Sequence, residues 1–263
     1  MVDSGVQYII EQFDYEHATH QDTAEIGAVY DHCFTNDLNL VFDPSLDADF
    51  VDPCRYYSKA SGGAFFVVRR VVIGGAAGGN LDDADQEQKE VPESTRKPIV
   101  GTLGVRNFTF ESEERWVAFQ EGIKANTNSC DAERAFASSC VVKNGGSGVV
   151  VDSPPAVSIS YPSNESSSLT PLRVCELKRM FFLPGCRGRQ LGKQQVAVAL
   201  EWASSSAGGY NYCILDTKRR LEAANHVYEK YGGFVECGSY NGNPRADKFM
   251  CKLLLPQIAQ KQQ

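Results

Sequence analysis

The sequence has no uninterrupted apolar run of the roughly 20 residues that a membrane-spanning helix requires. Its N-terminal segment, MVDSGVQYIIEQFDYEH, lacks the basic start and the long apolar stretch of a secretory signal. It also lacks CxxC pairs, although it contains nine cysteines. We therefore expect a cytoplasmic protein with reduced thiols and no membrane partner.

Positive charge is scarce as well, because 26 lysine and arginine residues stand against 33 aspartate and glutamate residues. The resulting net charge of −7 excludes a broadly cationic surface, and we expect no nucleic-acid partner. Histidine is also rare, with four residues. His17 and His20 have ligand-like spacing, but no third ligand accompanies them, so we expect no bound metal.

What the sequence does contain is an alternation of strand-like and helix-like segments within 263 residues of ordinary globular composition. Runs of β-branched and aromatic residues predict strands, and apolar residues spaced by three and four predict helices. The predicted strands cover residues 6–13, 64–72, 98–108, 174–183, 212–215, 234–237 and 249–254. The predicted helices cover residues 22–34, 188–203 and 221–231. This order of elements predicts a mixed α/β architecture.

Two stretches differ in composition from the rest. Residues 74–97 are rich in glycine and charge, and residues 109–170 contain the loop-like runs GGSG, SPP and NESSS. Structureless connections of this length are unusual inside a compact domain. We therefore predict a single domain over residues 1–263 that carries these two stretches as insertions.

The segment LPGCRGRQLGK, residues 183–193, joins a predicted strand to a predicted helix. Its glycines allow the backbone to approach a ligand closely, and the start of a helix offers unpaired N–H groups at the positive end of the helix dipole. Arg187, Arg189 and Lys193 add positive charge there. The segment therefore predicts a site for a phosphate or diphosphate group.

Two common nucleotide-binding motifs do not fit this segment. Its Gly-Lys pair is not followed by serine or threonine, as a P-loop requires, and its glycines do not have GxGxxG spacing. The pattern Arg/Gln-x-x-Gly-x-Gly/Ala fits with one substitution: Arg187 and Gly192 are in place, but Gln190 stands where glycine is expected. A basic helix start without a ligand remains the alternative.

Further segments accompany this turn in the last third of the chain. They are ELKRMFFLP at 176–184, CRGRQLGK at 186–193, LDT at 215–217, LEAANHVYEKYGGF at 221–234 and SYNGNP at 239–244. Together they resemble the GNAT superfamily of acetyl-CoA-dependent N-acetyltransferases, over about residues 174–255. The resemblance implies an acyl-CoA N-acyltransferase fold, with a mostly antiparallel central sheet flanked by helices. It also implies direct transfer of an acetyl group from acetyl-CoA to a primary amine, on a small-molecule or amino-acid-like acceptor.

The resemblance also assigns residues to the cofactor. The CoA diphosphate is expected on the turn before the second helix, and the pantetheine arm is expected along the preceding strand. The residues so assigned are Met180, Phe181, Phe182, Arg187, Gly188, Arg189, Gln190, Leu191, Gly192 and Lys193. Phosphate binding survives if the Gln190 side chain points outward, and affinity falls if it points inward. The asparagine that the family has seven positions before its tyrosine falls on Leu221, so Asn225 is a possible replacement, although on another helix face.

The catalytic expectations concern Tyr228 and Glu176. Tyr228 matches the family tyrosine that often acts as general acid, and its ordinary pKa near 10 keeps it protonated at neutral pH. A core-packing aromatic is the alternative. Glu176 is the candidate base, acting through water, because an acidic residue in an apolar strand is costly without a task or a partner. Pairing with Lys178 is its alternative.

The remaining expectations concern the oxyanion and the acceptor. Backbone N–H groups at Phe181 or Phe182 are candidates to stabilise the oxyanion. Tyr240 and Asn241, in the final hairpin, either line the acceptor pocket or form a turn. Because Gln190 replaces the expected glycine and the family asparagine is missing, a non-catalytic acyl-CoA-binding regulatory module is an alternative. A protein N-terminal or lysine acetyltransferase is a further alternative. We expect a monomer or homodimer whose partners are acetyl-CoA and an amine.

Overall fold

A computed structural model describes residues 5–72, 97–112, 114–115, 117, 119 and 173–254. Seven strands form one sheet in the order β1-β2-β3-β4-β5-β7-β6. They are β1 (Val6–Phe13), β2 (Ala64–Val72), β3 (Ile99–Phe108), β4 (Val174–Phe182), β5 (Tyr212–Thr217), β6 (Val235–Glu236) and β7 (Lys248–Leu253). Among the pairs between these described strands, only β4–β5 is parallel. The predicted mixed, mostly antiparallel sheet is therefore confirmed, whereas the two predicted insertions lie largely outside the described residues.

The described helices flank this sheet. They are α1 (His20–Tyr30), α2 (Ala48–Val51), α3 (Pro53–Tyr57), α4 (Leu191–Ser204) and α5 (Glu222–His226). A capping box between Thr19 and Asp22 fixes the start of α1. The chain continues α1 and α5 as π-helical turns over Asp31–Asp37 and Val227–Gly232. In the described part of the chain, no helix has the length and apolar character needed to cross a membrane.

The sheet has an apolar core on each face. Phe66 and neighbouring strand residues pack against α4 residues such as Val196 on one face. Phe65, the adjacent residue of β2, packs against Val29 of α1 on the other face. This alternation follows from the pleat, in which successive side chains point to opposite faces. We call these the α4 face and the α1 face.

A β-bulge interrupts β4 where it pairs with β3. Gly104 pairs with Lys178 and Thr102 pairs with Phe181, so two residues of β4 lie opposite one residue of β3. Arg179, the first of the two, has a φ of 61°. The hydroxyl of Thr102 donates to the Arg179 carbonyl at 2.9 Å and holds the bulge in place.

Candidate active site

The strands β4 and β5 pair only at their beginnings, where Val174–Glu176 lies beside Tyr212–Ile214. Beyond this point the two strands separate, and a cavity of about 920 Å³ opens at the gap. Its wall is formed by β4, the turn before α4, the segment around α5, and the chain segments before α2 and before β7. The volume falls at the upper end of the range of roughly 300–1,000 Å³ found for ligand pockets.

The second half of β4 exposes its backbone edge to this cavity. Leu183 donates its backbone N–H to Val100 at 2.9 Å and so faces β3. Because adjacent residues of a strand direct their backbone groups to opposite edges, the backbone of Phe182 faces the gap. The Phe182 carbonyl accepts bonds from Arg187 Nε at 2.9 Å and from Cys33 Sγ at 3.4 Å. Met180, Phe181 and Phe182, the residues predicted to pair with pantetheine, all lie on the wall.

The start of α4 forms one end of the cavity. Gln190 directly precedes the helix with a φ of 61°, and its side chain does not cap the first N–H groups. This left-handed conformation explains why the motif prefers glycine at this position, because a Cβ there costs about 1–2 kcal/mol. Gln190 is exposed to solvent and also contributes to the wall of the cavity.

The predicted cations surround this helix start. Arg187 lies on the wall and forms an ion pair with Asp37 of the π-helical turn after α1. Lys193 also lies on the wall, with its ammonium 4.7 Å from the centre of the Tyr231 ring. Arg189 is not among the wall residues, and its guanidinium lies 5.5 Å from the centre of the Tyr8 ring.

Tyr228 lies on the π-helical turn after α5 and contributes to the wall of the cavity. Its ring belongs to the core cluster of the α4 face. Burial raises the pKa of its phenol, and the nearby carboxylate of Asp216 raises it further. The hydroxyl therefore remains protonated at neutral pH, as a general acid must. The position is compatible with both predictions for this residue, because Tyr228 packs in the core and also borders the gap.

Glu176 is placed differently from its predicted role as a base. It is fully buried and does not contribute to the wall. Its carboxylate accepts bonds from Arg106 Nε at 2.8 Å, from the Tyr240 hydroxyl at 2.9 Å and from Asn241 Nδ2 at 3.3 Å. Lys178, the partner considered from the sequence, is farther away at 3.5 Å. The strand register explains the main pairing, because Arg106 lies directly opposite Glu176 on β3.

Three other residues assigned to the ligands also lie behind the wall. Tyr240 is fully buried and its hydroxyl is bound to Glu176, so it is not exposed to an acceptor. Asn241 donates to Glu176 and to the end of β5 and supports the wall from behind. Asn225 donates to the carbonyl groups of residues 218 and 219 at 3.0 and 3.1 Å. Its amide nitrogen therefore holds the loop before α5, and Asn225 is not among the wall residues of the cavity.

Asp216 at the end of β5 is a wall residue that the sequence analysis did not single out. Its carboxylate accepts bonds from Lys178 Nζ at 3.0 and 3.1 Å, from Asn241 at 2.7 Å and from Asn243 at 3.0 Å. Burial alone would raise its pKa, but the Lys178 ammonium and the two amides lower it below its usual value. In the sequence, the feature that could have indicated Asp216 as a wall residue is its position as an acidic residue directly after the buried strand YCIL.

A second ion-pair network, the Asp47 network, closes the cavity on the α1 face. Arg179 donates to Asp47 at 3.1 Å and to Asp49 at 2.9 Å, and Arg245 donates to Asp47 at 2.8 Å. Burial raises the pKa of Asp49, but Arg179 and the Tyr57 hydroxyl outweigh this effect and bring it down to about 2. These contacts join residues far apart in the sequence, so no local pattern could have indicated them.

Comparison with known proteins now identifies the fold. The sequence model of the acetyltransferase (GNAT) family matches residues 132–234. This matched segment is similar to the GNAT family. A crystal structure of an acetyltransferase from Streptococcus agalactiae has the same fold, with a TM-score of 0.50 and 13% identity, over 94% of this chain and 98% of that chain.

Two relatives match shorter parts of the chain at higher identity. An uncharacterized N-acetyltransferase of Dictyostelium discoideum is 33% identical over 75 residues, which are 28% of this chain and 33% of the relative. The uncharacterized N-acetyltransferase YjgM of Escherichia coli K12 is 39% identical over 59 residues, which are 22% of this chain and 34% of YjgM. The chain thus matches about a third of the length of each relative.

Proposed function

We propose that this chain is an acetyl-CoA-dependent N-acetyltransferase that moves the acetyl group directly to a primary amine of a small-molecule or amino-acid-like acceptor. The observation that carries the proposal is the position of Tyr228 on the wall of a cavity that also contains an uncapped helix start. A CoA thioester needs both features, because its diphosphate is an anion and its thiolate is a leaving group that benefits from a proton.

The cofactor space runs from the start of α4 along β4. The backbone N–H groups of Leu191, Gly192 and Lys193, at the positive end of the helix dipole, are the proposed site of the diphosphate, with Arg187 and the Lys193 side chain supplying charge. The exposed edge at Phe182 is the proposed pairing site for the pantetheine amides, in the way an additional strand pairs with a sheet edge. The thioester then lies near the end of the gap, where Tyr228 is found.

The proposed reaction is a single displacement. The lone pair of the neutral amine forms a C–N bond with the thioester carbonyl carbon, and collapse of the tetrahedral intermediate breaks the C–S bond. The thiolate takes the phenolic proton of Tyr228, which solvent later restores, and the proton of the attacking amine passes to water. Water is the proposed acceptor because Asp216, an acid on the cavity wall, has a lowered pKa and is a weak base.

The Tyr228→Phe variant tests the proposal. The purified chain should gain thermal stability with CoA and with acetyl-CoA, and it should release CoA faster when a primary amine is added. The variant should keep the stabilisation and lose about 10²–10⁴-fold in turnover, the range expected for removal of a general acid. The measurements are a thermal melt and a thiol-specific colour assay.

Three outcomes would contradict parts of the proposal. If neither acetyl-CoA nor CoA raised the melting temperature of the chain, a CoA-binding site would be excluded. Stabilisation without CoA release on any amine would favour the non-catalytic module. Release only with peptide N-termini or lysine side chains would move the acceptor from small molecules to proteins.

A further inference from the structure

We propose that Asp216 binds the nitrogen of the acceptor amine through an N–H···Oδ1 hydrogen bond, on the α1-face side of the gap between β4 and β5. The inference rests on the proposed function and adds to it the residue that positions the nucleophile. It would make Asp216 a catalytic residue that touches the reacting nitrogen without taking up its proton.

The first argument is position. Glu176 and Ile214 form the last described pair between β4 and β5, and two residues later Lys178 and Asp216 face each other across the opening gap. Asp216 therefore lies at the narrow end of the gap. Tyr228 belongs to the core of the α4 face, whereas Ile214, two residues before Asp216 on the same side of β5, belongs to a cluster on the other face. An amine at Asp216 would thus approach the thioester from the face of the sheet opposite Tyr228, which leaves the sulfur accessible to the phenolic proton.

The second argument is the unused capacity of one oxygen. Oδ2 of Asp216 accepts bonds from Lys178 at 3.1 Å, from Asn241 at 2.7 Å and from Asn243 at 3.0 Å. Oδ1 accepts one bond within the described part of the chain, from Lys178 at 3.0 Å. Lys178 shares one ammonium group between the two oxygens, so Oδ1 has the less crowded set of donors and is the oxygen at which a further N–H group can bind. Asp216 is on the cavity wall, where a ligand can supply that group.

The third argument is charge. A lone carboxylate would favour the protonated ammonium form of the acceptor, which cannot attack a carbonyl carbon. Lys178 balances the Asp216 charge at hydrogen-bond distance, so the pair attracts N–H groups without strongly holding the extra proton on the amine. The bonds from Lys178, Asn241 and Asn243 also fix the carboxylate, which reduces the ordering cost when the acceptor binds. This chemistry fits a primary amine.

The test uses S-carboxamidomethyl-CoA, in which a CH₂C(O)NH₂ group on the CoA sulfur carries an amide nitrogen beyond the carbonyl. Calorimetry gives the dissociation constants of this probe and of CoA for the wild-type chain. We expect the probe to bind about tenfold more tightly than CoA, as one hydrogen bond to a charged group allows. In Asp216→Asn this advantage should fall to less than threefold, while CoA binding stays within twofold of wild type.

A matched control is Glu222→Gln, which removes the same charge from another part of the cavity wall. It should leave the advantage of the probe unchanged. If Asp216→Asn does not fold because Lys178 loses its partner, the double variant Lys178→Met/Asp216→Asn removes both charges and serves instead.

The outcomes separate the two proposals. If CoA binds but the probe has no advantage in wild type, or keeps its advantage in the Asp216 variant, the inference is overturned and the proposed function stands. If neither CoA nor the probe binds the wild-type chain, the proposed function falls and the inference falls with it.

Discussion

At the scale of single residues, Gln190 shows how a motif can lose a glycine and keep its geometry. The backbone retains the left-handed conformation that the motif requires, with a φ of 61° at Gln190. Gly188, two residues earlier, has a φ of 75°. Both positions are exposed, so substitutions there act mainly through backbone strain and little through packing.

We therefore predict opposite effects for two substitutions in this turn. Gln190→Gly should relieve backbone strain and raise the free energy of unfolding by up to about 1 kcal/mol. The gain is limited because glycine also increases the conformational freedom of the unfolded chain. Gly188→Ala should destabilise by about 1 kcal/mol, although a Cβ there meets no atom within 4 Å. Urea unfolding of both variants measures this, and equal signs would contradict the strain argument.

Local sequence motifs predict contacts between neighbouring residues but not contacts between residues that are distant in the sequence. Gly192 and Tyr228 belong to local sequence motifs, and both lie on the wall of the cavity. The environment of Glu176 depends on Tyr240 and Arg106, which are distant in sequence. Sequence reasoning recognised that a buried acid needs a partner, but it considered only the nearby Lys178.

At the scale of elements, strands and the longer helices were predictable because each contains a full period of apolar residues. The helices α2 and α3 have four and five residues and fall below the length at which periodicity can be detected. The π-helical turn after α1 extends beyond the predicted helix end at residue 34 and contributes Asp37 to the wall. The π-helical turn after α5, which carries Tyr228, falls almost entirely within the helix predicted over residues 221–231.

The π-helical turn after α1 has a consequence for cofactor affinity. Asp37 pairs with Arg187, the same guanidinium that we assign to the CoA diphosphate. Since the carboxylate competes with the phosphates for this cation, Asp37→Asn should bind CoA more tightly. The pair is partly exposed, so the gain should not exceed about fivefold.

The control for this prediction is Asp31→Asn, an exposed residue on the same π-helical turn. Calorimetric titration with CoA should give the wild-type affinity for this variant. Weaker binding in Asp37→Asn would mean that Asp37 holds Arg187 in the orientation that the phosphates need.

At the scale of the whole molecule, the Asp47 network connects the segment before α2, the bulge of β4 and the segment before β7. Asp49 within it has a pKa of about 2 in the folded state, below the ordinary value near 3.9. A lowered pKa in the folded state means that the ionised form stabilises the fold. This contribution is complete above about pH 4 and disappears as the pH falls toward 2.

We therefore predict a loss of about 2 kcal/mol in the free energy of unfolding from this residue between pH 5 and pH 2. Asp49→Asn should be less stable than wild type at pH 7, because Arg179 loses a buried partner, and it should show a shallower decrease with acid. Urea unfolding across this pH range measures both. An unchanged slope in the variant would show that Asp49 is not the titrating group.

The bulge in β4 constrains how this protein can vary. Leu177 packs on the α4 face, so regular alternation along β4 would direct Phe182 to the α1 face. The extra residue of the bulge reverses the alternation. Phe181 therefore packs beside α1, and Phe182 packs on the α4 face. Losing one residue from the strand would exchange these two rings between layers. An insertion or deletion in this strand therefore keeps each ring on its present face only when it changes the length by an even number of residues.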